Sequence, residues 1–370
     1  MSLQDETFTL GVEEEFQIID PDTYELSPDA DQMLPEAQKL LGEGVQNELM
    51  LSQIEIATPV CQTLTDVQTE LSRFRQGIID VAASMGRQIA AAGTHPFSPW
   101  QKQLITPRER FQQLLLDQKQ VVRTQVIFGC HVHVGLNDRE MGIPLLNRAR
   151  LWLSPLLALT ANSPFWSGED TMYASFRTAL WWASPMSGPP PAFASREDYD
   201  ELVQALVATK SLEDVTRIYW DIRLPERFPT IEFRVMDVCM TVNEAMMIAG
   251  LVRALVRTCY EQALRDEPFP LVHTELLRAA NWRAARYGLD GDLIDVYAER
   301  LVPAKQLLDQ FLALVRPALE AQGDWHLVST YLHEVLQRGN GAARQREVYR
   351  RSGQLKDIVK YVIAETAPRI

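Results

Sequence analysis

The chain has 370 residues, of which 46% are hydrophobic, 23% charged and 8% aromatic; this excludes disordered, collagenous and low-complexity classes and allows a large core in one domain or in two or three smaller ones. Lys and Arg number 36 against 49 Asp and Glu, a net charge of −13, which excludes a basic nucleic-acid or anionic-membrane surface. Anionic small substrates stay open if metal ions or arginines meet them locally; 29 of the 36 basic residues are arginines, which suits phosphate and carboxylate recognition, although genome composition explains the excess equally well.

Met1–Phe8 is polar and acidic, with no apolar signal segment. Thr7–Ile19 alternates as a strand. Phe8, Leu10, Val12, Phe16 and Ile18 share one face, and Thr9, Gly11, Glu13, Glu15 and Gln17 the other. Two carboxylates side by side repel each other, and a divalent cation would relieve that; a solvated strand face is the plainer alternative. Glu14 falls on the apolar face, where a salt bridge or a bulge would have to accommodate it. Gln46–Ala57 reads as a second strand, ending at Pro59. Glu55 sits between Ile54 and Ile56, and its odd separation of seven from Glu48 puts the two on opposite faces unless a bulge or bend intervenes.

Thr63–Asp66 is a helix-start signal. The spacing of Val67, Leu71, Phe74, Ile78, Val81, Met85 and Ile89 predicts a helix over Thr65–Ala92, stopped by Gly93. A helix over Pro107–Val122 precedes a strand over Gln125–Gly135. That strand holds Gly129-Cys130-His131-Val132-His133-Val134-Gly135, with His131 and His133 on one face. Two of only six histidines fall in this tripeptide; they read as metal or phosphate ligands, or as hydrogen-bonded core residues.

A helix over Asn147–Thr160 leads into Asn162–Arg177, an aromatic-rich loop by its Pro and Gly content that ends in Arg177 and reads as a binding loop or a packed surface loop. The Pro-rich Ser187–Ala192 reads as a surface loop, Ser195–Ala208 as a helix and Thr230–Asp237 as a strand. In that strand Ile231, Phe233 and Val235 face a core while Glu232 and Arg234 point the other way. Alone, the latter two read as an ion pair; beside two other polar strand faces they read as a metal ligand next to a phosphate-binding arginine. Glu267–Pro270 is turn-like, and from Val242 onward the pattern is almost entirely helical. Strands among unevenly placed helices predict an α+β fold.

Cys61, Cys130, Cys239 and Cys259 have apolar neighbours and no C-x-x-C spacing, as buried residues in a reducing compartment would. Leu151–Gly168, the longest uncharged stretch, is interrupted by Pro155 and Pro164 and makes a poor membrane span. No phosphate-binding Gly loop, dinucleotide fingerprint or Gly-x-Ser-x-Gly elbow is present.

Gly11–Phe16, Glu48–Cys61, Gly129–Gly135, Asn162–Arg177 and Ile231–Asp237, in that order, resemble the glutamate–cysteine ligase type 2 family, bacterial carboxylate-amine ligases of the glutamine synthetase superfamily. The resemblance spans about residues 8 to 240. It implies a curved, mainly antiparallel sheet with a concave active-site face, helices packed on the other side, and one catalytic domain over 1–370 with a largely helical part from about 242. It implies two or three Mg²⁺ (or Mn²⁺) ions, with Glu13, Glu15, Glu48, Glu55, His131 and Glu232 as ligands. On the same pattern His133 lies near the nucleotide, Arg234 contacts phosphate, Arg177 holds the substrate carboxylate, and Glu48 and Glu55 serve a metal or the substrate amine, so that Glu55, Arg234 and Arg177 carry the chemistry. The implied reaction is ATP-dependent amide formation through an acyl phosphate, with a glutamate-like carboxylate and a small amine such as cysteine as partners. The polar N-terminus and the poor membrane span give the expectation of a cytoplasmic protein, and a homo-oligomer stays open.

Two other classes are open on the residues alone. A metal-dependent hydrolase would use His131 and His133, but would need more histidines at strand ends and would leave Glu13, Glu15 and Glu232 without a role. A non-catalytic nucleotide or amino-acid binder would keep the metal site without turnover.

Overall fold

Alternating apolar and acidic side chains give Leu10–Ile19 two unlike faces, and the computed structural model, which describes residues 7–368, builds its main sheet around that strand. In chain order β1 (Leu10–Ile19) is followed by α1 (Ala30–Leu41), β2 (Val45–Asn47), β3 (Gln53–Ala57), α2 (Leu64–Ser84) and β4 (Gln88–Ala90). Helices α3 (Glu109–Gln118) and α4 (Gln120–Arg123) lead to β5 (Gly129–Gly135). Next come α5 (Gly142–Ala149), α6 (Leu153–Thr160), β6 (Phe165–Trp166), β7 (Glu169–Asp170), α7 (Phe176–Trp181) and β8 (Ser187–Gly188). They are followed by α8 (Arg196–Ala208), β9 (Tyr219–Trp220), β10 (Ile222–Arg223) and β11 (Thr230–Asp237). The chain continues through α9 (Val242–Leu264), α10 (Thr274–Tyr287), β12 (Asp292–Asp295), β13 (Arg300–Pro303), α11 (Ala304–Gln322), α12 (Trp325–Arg338), α13 (Gly341–Ser352) and α14 (Leu355–Thr366).

Seven strands form an open antiparallel sheet in the order β10-β11-β5-β1-β3-β2, with β4 also paired to β1. Residues directly opposite across an antiparallel pair point to the same side. Glu13 opposes His131 and Ala57, Glu15 opposes Glu55, and Glu232 opposes His133. These acids and histidines therefore share one face. Val12, Phe16, Ile54, Ile56, Val132 and Phe233 are buried on the other, against α2 and α9. The α+β fold with an antiparallel sheet expected from the sequence is the one observed.

Glu14 is buried within that apolar face. Arg75 of α2 answers it, with Nε 2.9 Å from Oε2 and Nη2 2.5 Å from Oε1, both side chains fully buried. The remaining guanidinium hydrogens go to the carbonyls of Cys239 at 2.9 Å, Met240 at 3.0 Å and Thr366 at 3.4 Å. A salt bridge, and not a bulge, accommodates Glu14. Thr63 and Thr241 start α2 and α9 with capping boxes to Asp66 and Glu244.

Several boundaries differ from those the sequence predicts. Strand β1 begins at Leu10 and β5 only at Gly129. Gln46–Ala57 is two strands, because the chain turns between Asn47 and Gln53. The helix expected to reach Ala92 stops at Ser84, Gly86 turns the chain at φ 67°, and Gln88–Ala90 joins β1; a short apolar run fits helix or strand equally well until a pairing partner decides. The Pro107–Val122 helix starts at Glu109 and breaks at Lys119, φ 52°. The Asn147–Thr160 helix begins earlier, at Gly142, and loosens into a 3-10 turn over Arg150–Trp152, three residues before Pro155. Ser187–Pro190 is buried instead of at the surface: Ser187 and Gly188 pair with Tyr219 and Trp220, and the Pro190 carbonyl accepts Arg150 Nη1 at 2.7 Å. Hairpin β12–β13 interrupts the helical part. Residues 1–6, within the stretch read for a signal segment, lie outside the described residues. All four cysteines are buried and free.

Arg75→Met should destabilise the fold by about 3–5 kcal/mol in chemical denaturation, because it strands a buried carboxylate, whereas Arg75→Met with Glu14→Leu should recover most of that loss. A double variant no more stable than the single one would refute this account of the pair.

Candidate functional site

The acidic face opens into two adjoining cavities of about 380 Å³ and about 660 Å³. Glu13, Glu15, Glu48, Glu55, His131, Arg177 and Arg234 line the first; His133 and Glu232 line the second, which Glu13 and Glu55 also reach. All nine residues singled out from the sequence thus meet in one region. Glu48 arrives there because the β2–β3 turn carries it back toward Glu55. Arg177 is not at the end of a loop but in the first turn of α7, started by the Ser175 side chain.

Glu13 is the junction. His131 Nδ1 lies 3.0 Å from its Oε2, and His133 Nε2 lies 3.3 Å from its Oε1 and 4.0 Å from Glu232 Oε1. Burial alone would raise the Glu13 pKa, but the two histidines outweigh it and hold the carboxyl well below the usual range. Burial lowers His131 to about 4, aided by the Arg234 charge. His133 is raised: burial opposes the shift, and Glu13 and Glu232 overcome it. His133 Nδ1 is 3.1 Å from the Thr230 hydroxyl, while the buried Nε2 makes no hydrogen bond. One ligand atom each from Glu13, His133 and Glu232 lies within 4.8 Å of the other two. This is the one such three-ligand group among the described residues, and it includes His133; His131 touches it from the side through Glu13.

Glu232 is 1% exposed and doubly countered. Arg223 reaches it with Nε at 2.7 Å and Nη2 at 3.3 Å, and Arg234 bonds it through Nη1. Burial opposes ionisation, yet Arg234, Arg223 and His133 keep this carboxyl far below its ordinary pKa. The other acids are less well served. Glu15 accepts from the Gly129 N–H at 2.6 Å and from Gln53 Nε2 at 3.3 Å, but burial and the Glu48 charge push it up to about 7. Burial raises Glu48, and raises Glu55 well above the carboxylate range with help from Glu13, Glu48 and Glu15; Glu48 and Glu55 share a hydrogen bond.

Arg177 is 3% exposed, and its Nε and Nη1 have no hydrogen-bond partner among the described residues. Its guanidinium packs on Gly129, where a Cβ would lie 2.4 Å from Nη2; the glycine is there because the arginine needs the space.

Sequence reasoning missed Gln53, Arg217 and Arg223. Gln53 shares the period of Glu55 and could have been found from it. Arg223 lies on a two-residue strand, too short for any periodicity, and Arg217 in a 3-10 turn. Arg283 and Arg286 of α10 line neither cavity; Arg286 bonds the Met172 carbonyl. Met172 stands at φ 63° in the Asn162–Arg177 segment, a left-handed position that favours glycine. The other four histidines line neither cavity.

The family model described as glutamate-cysteine ligase family 2 matches residues 9–361. A protein of Rhodopirellula baltica that carries the provisional name glutamate–cysteine ligase 2 is 40% identical over 365 residues, 97% of each chain. A similarly named protein of Saccharopolyspora erythraea is 41% identical over 362 residues, 97% of this chain and 95% of its own. Among solved structures, a glutamate–cysteine ligase from Francisella tularensis in complex with AMP matches with a TM-score of 0.71 at 13% identity, covering 99% of this chain and 90% of that one. A bifunctional glutathione synthetase from Pasteurella multocida matches with a TM-score of 0.69 at 16% identity, covering 97% of this chain but 52% of that one, so the present chain spans about half of that enzyme. At these identities the structural likeness is one of fold.

The Glu15 shift has a sign that can be measured. The folded chain keeps the Glu15 proton to about pH 7, whereas the ordinary value is 4.5. Between those values the folded state binds the extra proton, so the stability that proton supports is lost as pH rises through the window. The wild type should therefore lose thermal stability relative to Glu15→Gln from pH 4.5 to 7. Parallel melting curves for the two proteins without added metal would contradict this.

Proposed function

The chain belongs to glutamate–cysteine ligase family 2, and on that footing we propose that it joins a glutamate-like carboxylate to a small amine such as cysteine through an acyl phosphate formed from ATP. It is an ATP-dependent carbon–nitrogen ligase. The observation that carries the finer reading is the Glu13–His133–Glu232 group beside a cavity that also holds Arg177 and Arg234.

The donor set fits divalent cations. A buried His133 Nε2 without a hydrogen bond faces two carboxylates, and Glu15, Glu48 and Glu55 crowd together with raised pKa values. In our reading Glu13, His133 and Glu232 would hold one Mg²⁺ or Mn²⁺ ion, and Glu15, Glu48 and Glu55 would hold a second. Bound ions of this kind neutralise triphosphate charge as it shifts during transfer.

The chain's own groups do the rest. Arg177 takes the α-carboxylate of the donor substrate, which gives its unpartnered N–H groups acceptors. The donor's side-chain carboxylate then forms a bond to the γ-phosphorus while the bond to the ADP oxygen breaks. Arg234, its Nε also unpartnered, stabilises the charge on the transferred group. The amine nitrogen attacks the acyl carbon and phosphate leaves; a free carboxylate oxygen of Glu55 accepts the proton the amine loses. A third, apolar cavity of about 320 Å³, walled by Val12, Val60, Leu136 and Phe228, opens beside Glu13 and His133 and suits the purine ring. Among the described residues no helix is long and apolar enough to cross a membrane, and we place the enzyme in the cytoplasm. One buried cluster runs from Phe8 to Val362, which supports a single catalytic domain.

Purified protein with Mg²⁺, ATP, glutamate and a panel of amines should release ADP only when both carboxylate and amine are present, with the amide detected by mass. Glu13→Gln should lower kcat by about 100-fold or more with an unchanged circular dichroism spectrum; full activity in that variant would remove the cluster from the reaction. Phe228→Asp should raise KM for ATP about tenfold, the scale of one lost apolar contact, and leave KM for glutamate unchanged. Product formed without ATP would point to a hydrolase instead.

A further inference from the structure

Strand β11 contains an irregularity that changes which of its residues face the site. Phe233 opposes Val132, but Met236 opposes Cys130, so one extra residue is accommodated between them. In an unbroken strand Asp237 would share the core-facing side of Ile231, Phe233 and Val235. The shift places it opposite Gly129, on the face of His131 and His133. A fully buried carboxylate, although it lines neither cavity, is thereby turned to the face that carries the site, where the parity of the sequence alone would have pointed it into the core.

Among the described residues no arginine bonds this carboxylate. Its Oδ2 accepts from the Asn162 N–H at 2.8 Å and the Ser163 hydroxyl at 2.7 Å, and its Oδ1 from the Ser175 hydroxyl at 2.7 Å. The Ser163 hydroxyl oxygen in turn accepts the backbone N–H of Arg177 at 3.1 Å, and Ser175 starts α7, which carries Arg177. Ser163 and Ser175 also form a parallel bridge, with Phe176 N–H donating to the Ser163 carbonyl at 3.0 Å. Asp237 thus ties together both ends of the 162–177 segment. The helical part of the chain grips the same segment from outside: Gln345 of α13 donates to the Asn162 carbonyl at 3.0 Å and to its side-chain oxygen at 2.8 Å.

We propose that Asp237 is a positioning residue that acts through Arg177: by closing the neck of the 162–177 segment on neutral hydroxyl and amide donors, it fixes the guanidinium over Gly129 while leaving its charge for a substrate carboxylate. An aspartate paired directly with Arg177 would spend the same charge internally. Asp237 instead accepts from Asn162, Ser163 and Ser175, so the two opposite charges attract across the fold without a hydrogen bond between them. This rests on the proposed role of Arg177 in holding the donor carboxylate.

The test is a double-mutant cycle on the full-length enzyme between Asp237→Asn and Arg177→Gln, read as KM for glutamate and for ATP. Asp237→Asn should raise KM for glutamate about tenfold or more, change KM for ATP less than twofold, and add little further in the Arg177→Gln background. Additive effects, or an equal rise in KM for ATP, would overturn the proposal and leave Asp237 a general structural residue. If Asp237→Asn does not fold, Ser163→Ala with Ser175→Ala removes two of the three donors at little cost in volume, and the same pattern is required of it. A crystal structure of either variant in which Arg177 keeps its place over Gly129 would also overturn the proposal, whatever reaction the wild type catalyses. Absence of ADP release by the wild type with glutamate would instead count against the function proposed above.

Discussion

Repulsion among carboxylates drawn onto one concave sheet face is the constraint that the rest of the structure answers. Glu13, Glu15, Glu48 and Glu55 line a single cavity, and their partners are unequal. Glu13 has two histidines beside it. Glu232, next to them, has two arginines. Glu15 has a backbone N–H and an amide. Glu55 shares a hydrogen bond with another acid, and burial with the neighbouring carboxylates holds its pKa well above the carboxylate range. A low-dielectric site concentrates this imbalance instead of screening it. The cations proposed here would settle it, and would also let a chain of net charge −13 receive a triphosphate and a second anionic substrate.

The back of the sheet makes that face possible. Three consecutive glutamates cannot all point one way from a strand, and the middle one falls among Val12, Phe16 and Val132. The buried Glu14–Arg75 pair meets this with a guanidinium that also bonds the carbonyls of Cys239 and Met240, just beyond β11. One arginine on α2 therefore ties β1 to the residues that follow β11, and these two strands carry Glu13, Glu15, Glu232 and Arg234. Replacing such a pair with apolar groups can be nearly neutral for stability; what the pair adds here is a fixed pleat.

Charge on the arginines is divided between two uses. Arg223 and Arg234 are bonded to Glu232 and define its orientation. Arg177 has no acidic partner in direct contact among the described residues, and its segment is held by Asp237, Ser163 and Ser175 on one side and by α13 on the other. The helical part beyond Val242 thus reaches the site through a segment it supports, without lining the first cavity.

Much of this was legible in the residues. Period-two alternation is a local property, so the shared face of Glu13 with Glu15, of His131 with His133 and of Glu232 with Arg234 followed from the sequence alone, as did the α+β class and the buried free cysteines. The order of five motifs was enough for the family resemblance. Other features depended on pairings between distant residues, which no local pattern encodes. The turn that returns Glu48 to Glu55, the strand at Gln88–Ala90 inside an expected helix, and the burial of Ser187–Pro190 each required a partner elsewhere in the chain. Which histidine joins Glu13 and Glu232 was decided by the register of β5 between β1 and β11, which sets His131 opposite Glu13 and His133 opposite Glu232. A single extra residue in β11 decided the facing of Asp237, because a shift of one position exchanges the two faces of a strand, and only the neighbouring strand determines where that shift falls.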